Sequence, residues 1–268
     1  MSENAKAPVS LFWGALVLFR RKIMERFEPI VAIDVPDKRK AVQLFDRLSN
    51  DTDHMPIIKI GMELFYAFGP GIIKQAKERG FKIFLDLKAH DIPNTVERAM
   101  AQVGRLGVAF VTVHAAGGSE MMKAGLRGLK QGAAEARNSV PKMLAITQLT
   151  SIDEEILHNE QKINGTVMES VQNYARLADE SGLAGVVCSA KEISAIREVT
   201  NPDFLCITPG IRPDLNTHDD QKRVVTPKQA AEMGSNGIVV GRPITQSDDP
   251  VAAYKEIRHE FFEGENAD

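Results

Sequence analysis

Residues 82–114 read KIFLDLKAHDIPNTVERAMAQVGRLGVAFVTVH and contain one complete strand–helix–strand pattern. An apolar, β-branched and aromatic run, Lys82–Asp86, precedes the amphipathic segment Thr95–Leu106, and a second such run follows at Phe110–His114. Gly107 stands where the helix has to end before the next strand. Two short apolar runs joined by a helix predict parallel strands with a crossover connection.

The same pattern repeats along the chain and predicts eight strands: Ile30–Asp34, Ile57–Gly61, Lys82–Asp86, Phe110–His114, Met143–Thr147, Gly185–Cys188, Phe204–Thr208 and Gly237–Gly241. The helical patterns are Lys38–Leu48, Gly71–Arg79, Thr95–Leu106, Ser119–Gln131, Val167–Ser181, Ala190–Val199, Pro227–Met233 and Pro250–Phe262. Eight strand–helix units in about 235 residues predict a single-domain (β/α)8 barrel, the TIM barrel. An open doubly wound sheet is the alternative, but no Gly-x-Gly-x-x-Gly follows the first strand.

The first 28 residues differ from the rest. The run LFWGALVLF, residues 11–19, is far shorter than the roughly 20 residues that span a bilayer, and its basic cluster follows it, in the reverse of the secretory order. We therefore expect no targeting signal and no membrane partner, although a peripheral anchor is an alternative. Met24 offers a second start, from which MERFEPIVAIDV runs directly into the first strand, so we expect the native protein to begin there. Residues 1–28 are interpreted as an N-terminal extension, and residues 29–268 as the barrel.

Composition excludes several functional classes. The chain has a formal net charge of -3, 43% hydrophobic and 26% charged residues, as a soluble globular protein does. No stretch concentrates Lys and Arg, so we expect no nucleic-acid partner. Two cysteines, Cys188 and Cys206, do not form a disulfide framework, and six scattered histidines lack metal-ligand spacing. We expect a cytoplasmic protein without a bound metal.

Polar side chains follow nearly every predicted strand. In a parallel barrel the carboxyl ends of the strands meet on one face, where active sites form. A single charge at a strand end is ordinary, but so many around one ring predict a site. They are Asp34, Lys59, Asp86, Lys88, His114, residues 147–151, Ser189, residues 208–212, Gly241 and Arg242.

The most specific of these segments is DLKAHDIPNT, residues 86–95. Side chains alternate along a strand, so Asp86 and Lys88 point the same way. Pro93 disfavours helix at the preceding residue and keeps Asp91 in a loop, with the helix expected from Asn94 or Thr95. Taken alone, the segment also fits a salt-bridged strand end with a capped helix, or the Asp-x-Lys-x-x-Asp pattern of barrel sugar-phosphate lyases.

Two loops predict a phosphate site. TPGIR, residues 208–212, and GRPIT, residues 241–245, follow the seventh and eighth strands, where barrels often bind phosphate. Glycine lets backbone N–H groups approach an anion, and arginine offers a planar set of donors. A surface role for Arg212 is the alternative. The polar segment Pro213–Val224 is either a lid or a loop without a function, and Gln221 within it favours the lid.

Together these segments resemble those of the bacterial orotidine 5′-phosphate decarboxylases, over about residues 30–262. The resemblance rests on residues 33–34, 58–64, 86–95, 113–118, 147–151, 187–190, 208–212 and 241–245. It implies decarboxylation of orotidine 5′-monophosphate to UMP, the last step of de novo pyrimidine nucleotide synthesis. The reaction in this family uses no metal and no cofactor, so the carbanion left by CO₂ has to be stabilised by preorganised groups.

The resemblance also implies residue roles. Catalysis is assigned to an alternating charge array of Lys59, Asp86, Lys88 and Asp91. Lys88 stabilises the carbanion and protonates it, and Asp86 lies near the departing carboxylate, acting by electrostatic stress or by orienting the lysines. Asp91 and Thr95 reach the neighbouring subunit's site, which implies an obligate homodimer. Substrate binding is assigned to Asp34, Lys59, Asp86, Thr95, Thr150, Arg212, Gln221, Gly241 and Arg242.

Other interpretations remain open at this point. His114 could act as a base, although a histidine at a strand end is more often structural. A magnesium-dependent lyase of a keto-sugar phosphate shares the Asp-x-Lys-x-x-Asp pattern. A phosphosugar isomerase or epimerase would explain the phosphate loops but not the four-charge array. A non-catalytic nucleotide-binding barrel would be expected to lack one of those charges.

Overall fold

The computed structural model describes residues 25–50, 53–213 and 224–263. Within these ranges, parallel strands pair in chain order and close into a barrel, because the first strand also pairs with the last. The strands are β1 Ile30–Ala32, β2 Ile57–Gly61, β3 Lys82–Ala89, β4 Phe110–His114, β5 Lys142–Ile146, β6 Gly185–Val187, β7 Leu205–Thr208 and β8 Gly237–Val240. The predicted single-domain (β/α)8 barrel is confirmed.

Helices surround the barrel. They are α1 Lys38–Asn50, α2 Met62–Phe68, α3 Pro70–Glu78, α4 Pro93–Leu106, α5 Gly118–Glu135, α6 Val167–Glu180, α7 Ile193–Arg197, α8 Pro227–Glu232, α9 Arg242–Thr245 and α10 Pro250–Glu263. The short helices α2 and α9 were not predicted, and the β5–α6 connection contains an unpredicted π-helical turn, Ile156–Glu160. No helix among the described residues is long and apolar enough to cross a membrane.

Several predicted boundaries need correction: β1 ends at Ala32 instead of Asp34, and α5 continues to Glu135 instead of ending at Gln131. Strand β3 continues to Ala89, three residues beyond the predicted end. Helix α4 begins at Pro93 instead of Asn94 or Thr95, because proline suits the first helical position, where its missing N–H has no intrahelical partner. The helix predicted over Ala190–Val199 is instead a 3-10 turn, Ala190–Glu192, followed by the short α7.

The core has two layers, and strand alternation produces them. Ile57 points into the barrel with Phe84 and Phe110, whereas Ile58 belongs to the larger cluster between the strands and the helices. Phe27 closes the amino-terminal end of the barrel, with its ring edge-to-face against Phe110 at 5.1 Å. Side chains therefore fill the barrel interior at its amino-terminal end.

Residues 25–28 lie within the predicted extension, yet they pack against the barrel. The Phe27 N–H donates to the Asn236 carbonyl at 2.8 Å, and Arg26 donates to the Ala231 carbonyl at 3.0 Å. Glu28 accepts from Arg258 at 2.7 Å. Residues 1–24, which carry the apolar run and the alternative start, lie outside the described residues, so the interpretation of the extension stays a prediction.

Helices α4 and α5 pack backbone against backbone. A Cβ atom on Gly128 would lie 1.9 Å from the Glu97 carbonyl oxygen, and one on Gly132 would lie 1.8 Å from that of Ala101. Neither distance is compatible with a side chain, so these glycines are required for the packing. The packing fixes the position of α4, which begins directly after the loop that carries Asp91.

Candidate active site

A chain of alternating charges lies at the carboxyl ends of β1, β2 and β3. The Lys59 ammonium donates to Asp34 Oδ1 at 3.0 Å and lies 3.8 Å from Asp86 Oδ2. The Lys88 ammonium donates to the same Asp86 oxygen at 2.8 Å. Asp86 therefore lies between two cations that come from neighbouring strands, and it shares one side of β3 with Lys88, as predicted.

Asp86 is nearly buried, and its surroundings favour the ionised form. Burial alone would raise the pKa of its carboxyl group, but the positive charges of Lys59 and Lys88 oppose this. Hydrogen bonds from Lys88 and Thr112 act in the same direction as the charges, and the net pKa is lower than usual. A carboxylate with two ammonium neighbours in a poorly hydrated position is a preorganised electrostatic feature.

The backbone at Lys88 is unusual. Its φ of 51° lies in the left-handed region, which side-chain-bearing residues rarely adopt. The pairing of β3 with β4 shifts register between Leu85 and Ala89, and Lys88 lies within that irregularity. Strained backbone of this kind is concentrated at functional sites, where the surroundings hold it in place.

A cavity of about 490 Å³ opens at this face of the barrel. Eight of the residues predicted from sequence line it: Asp34, Lys59, Asp86, Lys88, Thr150, Arg212, Gly241 and Arg242. Its floor is formed by apolar side chains that the sequence analysis did not single out, namely Ala32, Phe84, Ile146, Val187 and Val239. The cavity thus combines an apolar floor with charged groups on opposite sides, which suits an amphipathic, charged ligand.

The side of the cavity opposite Lys88 carries two arginines. Gly210 has a φ of 77°, which turns the chain after β7, and Ile211 then forms a bridge with Val225. This arrangement buries the Arg212 side chain, whose Nη1 donates to the Ile211 carbonyl at 2.9 Å. Arg242 comes from the end of β8, where α9 begins. Both arginines line the cavity, as expected for an anion site.

Two of the predicted site residues, Asp91 and Thr95, do not line the cavity of this chain. Asp91 and Thr95 are exposed, and the Asp91 carboxylate accepts from the adjacent Ile92 N–H at 2.6 Å. Their predicted contribution to a neighbouring subunit stays a prediction. Gln221 lies outside the described residues, as does most of the predicted lid Pro213–Val224.

His114 lies beside the main cavity. With Thr147 and Tyr174 it lines a second cavity of about 330 Å³, and its ring centroid is 5.6 Å from that of His90. Burial lowers the pKa of His114, and the neighbouring His90 and Lys88 lower it further. Its imidazole therefore favours the neutral form, which is consistent with a structural hydrogen-bonding group.

Two site features escaped the sequence analysis. Thr112 of β4 has a fully buried hydroxyl that donates to Asp86 Oδ1 at 2.9 Å. Gly61 leaves room for the first ion pair, because a Cβ atom there would lie 3.0 Å from Asp34 Oδ1 and 3.1 Å from Lys59 Nζ. A single threonine in an apolar strand does not predict a site residue. A glycine two residues after Lys59 could have indicated a close approach of side chains at the strand end.

Cys188 and Cys206 are buried free thiols, and Cys188 lies at the cavity wall. Among residues 25–50, 53–213 and 224–263, no group of three His, Cys, Asp or Glu side chains is placed to hold a metal ion.

Known proteins share this sequence and fold. Residues 28–257 match the model of the family described as Orotidine 5′-phosphate decarboxylase / HUMPS family. The orotidine 5′-phosphate decarboxylase of Lactiplantibacillus plantarum is 54% identical over 232 residues, which cover 87% of this chain and 97% of that protein. A relative of the same name from Cutibacterium acnes is 50% identical over 244 residues, covering 91% of this chain and 100% of that protein.

A solved structure is similar to this chain in both sequence and fold. The crystal structure of orotidine 5′-phosphate decarboxylase from Lactobacillus acidophilus has a TM-score of 0.78 and 45% identity, covering 88% of this chain and 99% of that one. The family match, residues 28–257, extends over nearly all of the barrel. The chain therefore belongs to the orotidine 5′-phosphate decarboxylase / HUMPS family, as its motifs predicted.

Proposed function

We propose that this protein decarboxylates orotidine 5′-monophosphate to UMP in pyrimidine nucleotide synthesis, without a metal or cofactor. The observation that carries the proposal is the ion-pair chain from Asp34 through Lys59 and Asp86 to Lys88, which faces two arginines across one cavity. The names of the relatives support the same substrate. The apolar floor of the cavity, between the ion-pair chain and the arginines, suits a pyrimidine ring.

The reaction breaks the bond between C6 of the pyrimidine and its carboxylate carbon. CO₂ leaves, and the electron pair stays on C6 as a carbanion. The Lys88 ammonium, which the Asp86 carboxylate fixes at 2.8 Å, stabilises this charge and then gives C6 a proton. Lys88 regains its proton from solvent, so one proton is consumed in each turnover.

Asp86 acts in this proposal by holding both lysines. Its Oδ2 lies 2.8 Å from the Lys88 ammonium and 3.8 Å from that of Lys59, so its removal would take a carboxylate away from both cations and leave Lys59 bonded to Asp34. Asp86 also lies beside the place of the departing carboxylate, where its negative charge favours loss of CO₂. The first of these effects follows from distances within the chain, and the second from the proposed position of the substrate.

The remaining cavity residues bind substrate. Asp34 and Lys59 lie at the rim and hydrogen-bond ribose hydroxyls, while Thr150 contacts the polar edge of the pyrimidine. Arg212 and Arg242 bind the phosphate, together with backbone N–H groups at Gly241. Gln221 and the segment Pro213–Val224 complete the phosphate side as a lid.

Asp91 and Thr95 act in trans within a homodimer. Support comes from their exposure next to Ile92, an apolar residue that is 66% exposed in the loop directly after the Lys88 strand. Mixing Lys88→Ala with Asp91→Ala subunits tests this: random exchange should restore about one quarter of the wild-type sites, because half of the dimers gain one intact site. Absence of any restored activity in verified mixed dimers would refute the shared site.

The activity itself is tested by a continuous ultraviolet assay with orotidine 5′-monophosphate in excess EDTA. The expected result is rapid substrate loss that EDTA does not affect. Activity that EDTA abolishes and magnesium restores would refute the metal-free reaction. An inactive protein that still binds UMP would refute the decarboxylase proposal and favour another sugar-phosphate lyase or a binding protein.

A further inference from the structure

The β3–β4 pairing contains an irregularity at the catalytic strand. Leu85 pairs with Val111 and Ala89 pairs with Val113, so four residue steps on β3 match two steps on β4. Asp86 and Lys88 both fall within this bulge, and Thr112 is the residue of β4 that stands opposite it. An ordinary strand ladder cannot satisfy every backbone group in such a region.

The side chain of Thr112 forms hydrogen bonds to two residues of the bulge. Its Oγ1 accepts from the Lys88 backbone N–H at 3.0 Å and donates to Asp86 Oδ1 at 2.9 Å. One hydroxyl can do both, because it has a single donor hydrogen and two acceptor lone pairs. The threonine is fully buried, so water does not compete for either bond.

These two bonds determine the geometry of the charge array. With Oδ1 held by Thr112, Asp86 presents Oδ2 to the cavity, and Oδ2 lies 2.8 Å from the Lys88 ammonium and 3.8 Å from that of Lys59. The N–H bond also holds Lys88 in its left-handed conformation, with φ at 51°. Backbone of this kind persists only where its surroundings determine it.

We propose that Thr112 is a positioning residue for the decarboxylation, because one buried hydroxyl fixes both the rotation of the Asp86 carboxylate and the backbone of Lys88. This inference rests on the proposed function. Thr112 does not contact the cavity, and it acts through the two charged residues that do. Without its hydroxyl, Asp86 can rotate and the Lys88 ammonium loses its fixed position relative to C6.

The test compares Thr112→Val, which keeps the shape and removes the hydroxyl, with Thr112→Ser, which keeps the hydroxyl. Thr112→Val is expected to lower kcat by roughly 10- to 100-fold while the Kd for UMP changes less than about 3-fold. Thr112→Ser should return kcat to within about 3-fold of the wild type, because both bonds are available again. Thr200→Val is the matched control, since it removes a hydroxyl bonded to the Ile196 carbonyl far from the cavity.

A pH profile of kcat/KM gives a second readout. Asp86 is faced by Lys59 of β2, by Lys88 of its own strand and by Thr112 and His114 of β4. Loss of the Thr112 hydrogen bond raises the Asp86 pKa, so the acid limb should move to higher pH in Thr112→Val and stay unchanged in Thr112→Ser. The serine variant alone keeps the test decisive if the valine variant does not fold: a kcat far below wild type in a folded Thr112→Ser would overturn the proposal.

Two kinetic results would contradict the role proposed for Thr112. Wild-type kcat in Thr112→Val would overturn the positioning role, as would parallel losses of kcat and UMP affinity that serine does not restore. A wild type without activity on orotidine 5′-monophosphate would instead refute the proposed function, and this inference with it. The wild-type assay therefore separates the two failures.

Discussion

The two ends of the cavity are built differently. Around Lys88 the charged groups come from strands β1–β3 and are bonded to one another, with Asp86 shared between two lysines. The other end carries Arg212, from the loop after β7, and Arg242, the first residue of α9, and both line the cavity. At the first end acidic and basic side chains pair with one another across the strands, whereas the second end presents two guanidinium groups to the cavity.

This difference separates two tasks. A rigid, internally paired array on strands is suited to stabilising charge that develops only in the transition state. Two arginines that follow neighbouring strands are suited to binding an anion that is already present in the substrate, such as a phosphate. Changes at the first end should therefore act on the chemical step, and changes at the second end should act on binding.

The largest effect is expected from Lys88→Ala. Loss of the ammonium removes both the stabilising charge and the proton donor, so kcat should fall by about 10³-fold or more. UMP affinity should change little, because the arginine end stays intact. Steady-state kinetics and calorimetry with UMP provide the measurement, and a variant that keeps more than a tenth of wild-type kcat would contradict the role given to Lys88.

Arg212→Ala should have a smaller effect, mainly on kcat/KM. Loss of charge-assisted hydrogen bonds to the phosphate is expected to lower it by roughly 10- to 150-fold for orotidine 5′-monophosphate. Orotidine, which lacks the phosphate, should react with a low kcat/KM that the substitution leaves nearly unchanged. Equal losses for both substrates would show that Arg212 does not bind the phosphate, and equal kcat/KM of the two substrates in the wild type would refute the lid.

The pH dependence distinguishes the two ends further. The pKa of Asp86 is lowered, so its carboxylate stays ionised at neutral pH and activity should fall only as the pH decreases through that lowered pKa. Lys59→Gln removes one cation while burial remains, so the acid limb should move to higher pH. His114→Gln is the control, because the profile should keep its acid limb; an unchanged limb in Lys59→Gln would contradict the electrostatic coupling.

The smallest effect is expected from Gly61→Ala. Its φ of -90° suits alanine, so the added methyl group strains no backbone and only crowds Asp34 and Lys59. These side chains can shift by a few tenths of an ångström, and kcat/KM should fall by about 3- to 10-fold. Gly71→Ala, where the methyl group meets open space, is the matched control. Wild-type kinetics for Gly61→Ala would show that the Asp34–Lys59 pair tolerates displacement.

The sequence was sufficient for the fold because strand and helix patterns alternate with helix-ending glycines such as Gly107, whose φ is 64°. It was also sufficient for the cavity, since the carboxyl ends of parallel strands have to meet on one face. Asp34, Lys59, Asp86 and Lys88 converge for that reason.

Features that depend on register were not predictable. The bulge in β3 and its bonds to Thr112 arise from how two strands pair, which the residues of neither strand determine alone. The four-residue α9 is only about one helical turn long, so its sequence contains no repeating apolar pattern that would predict a helix. The role proposed for Asp91 and Thr95 requires contacts with a second subunit, which the pattern of strands and helices in one chain does not determine.

The most direct test of the division between the two ends is a single-turnover measurement with enzyme in excess over orotidine 5′-monophosphate, at enzyme concentrations that saturate binding. The rate of CO₂ release in wild type, Lys88→Ala and Arg212→Ala isolates the chemical step. A rate that collapses in Lys88→Ala and stays within about 10-fold of wild type in Arg212→Ala is predicted. A larger loss in Arg212→Ala than in Lys88→Ala would contradict the account.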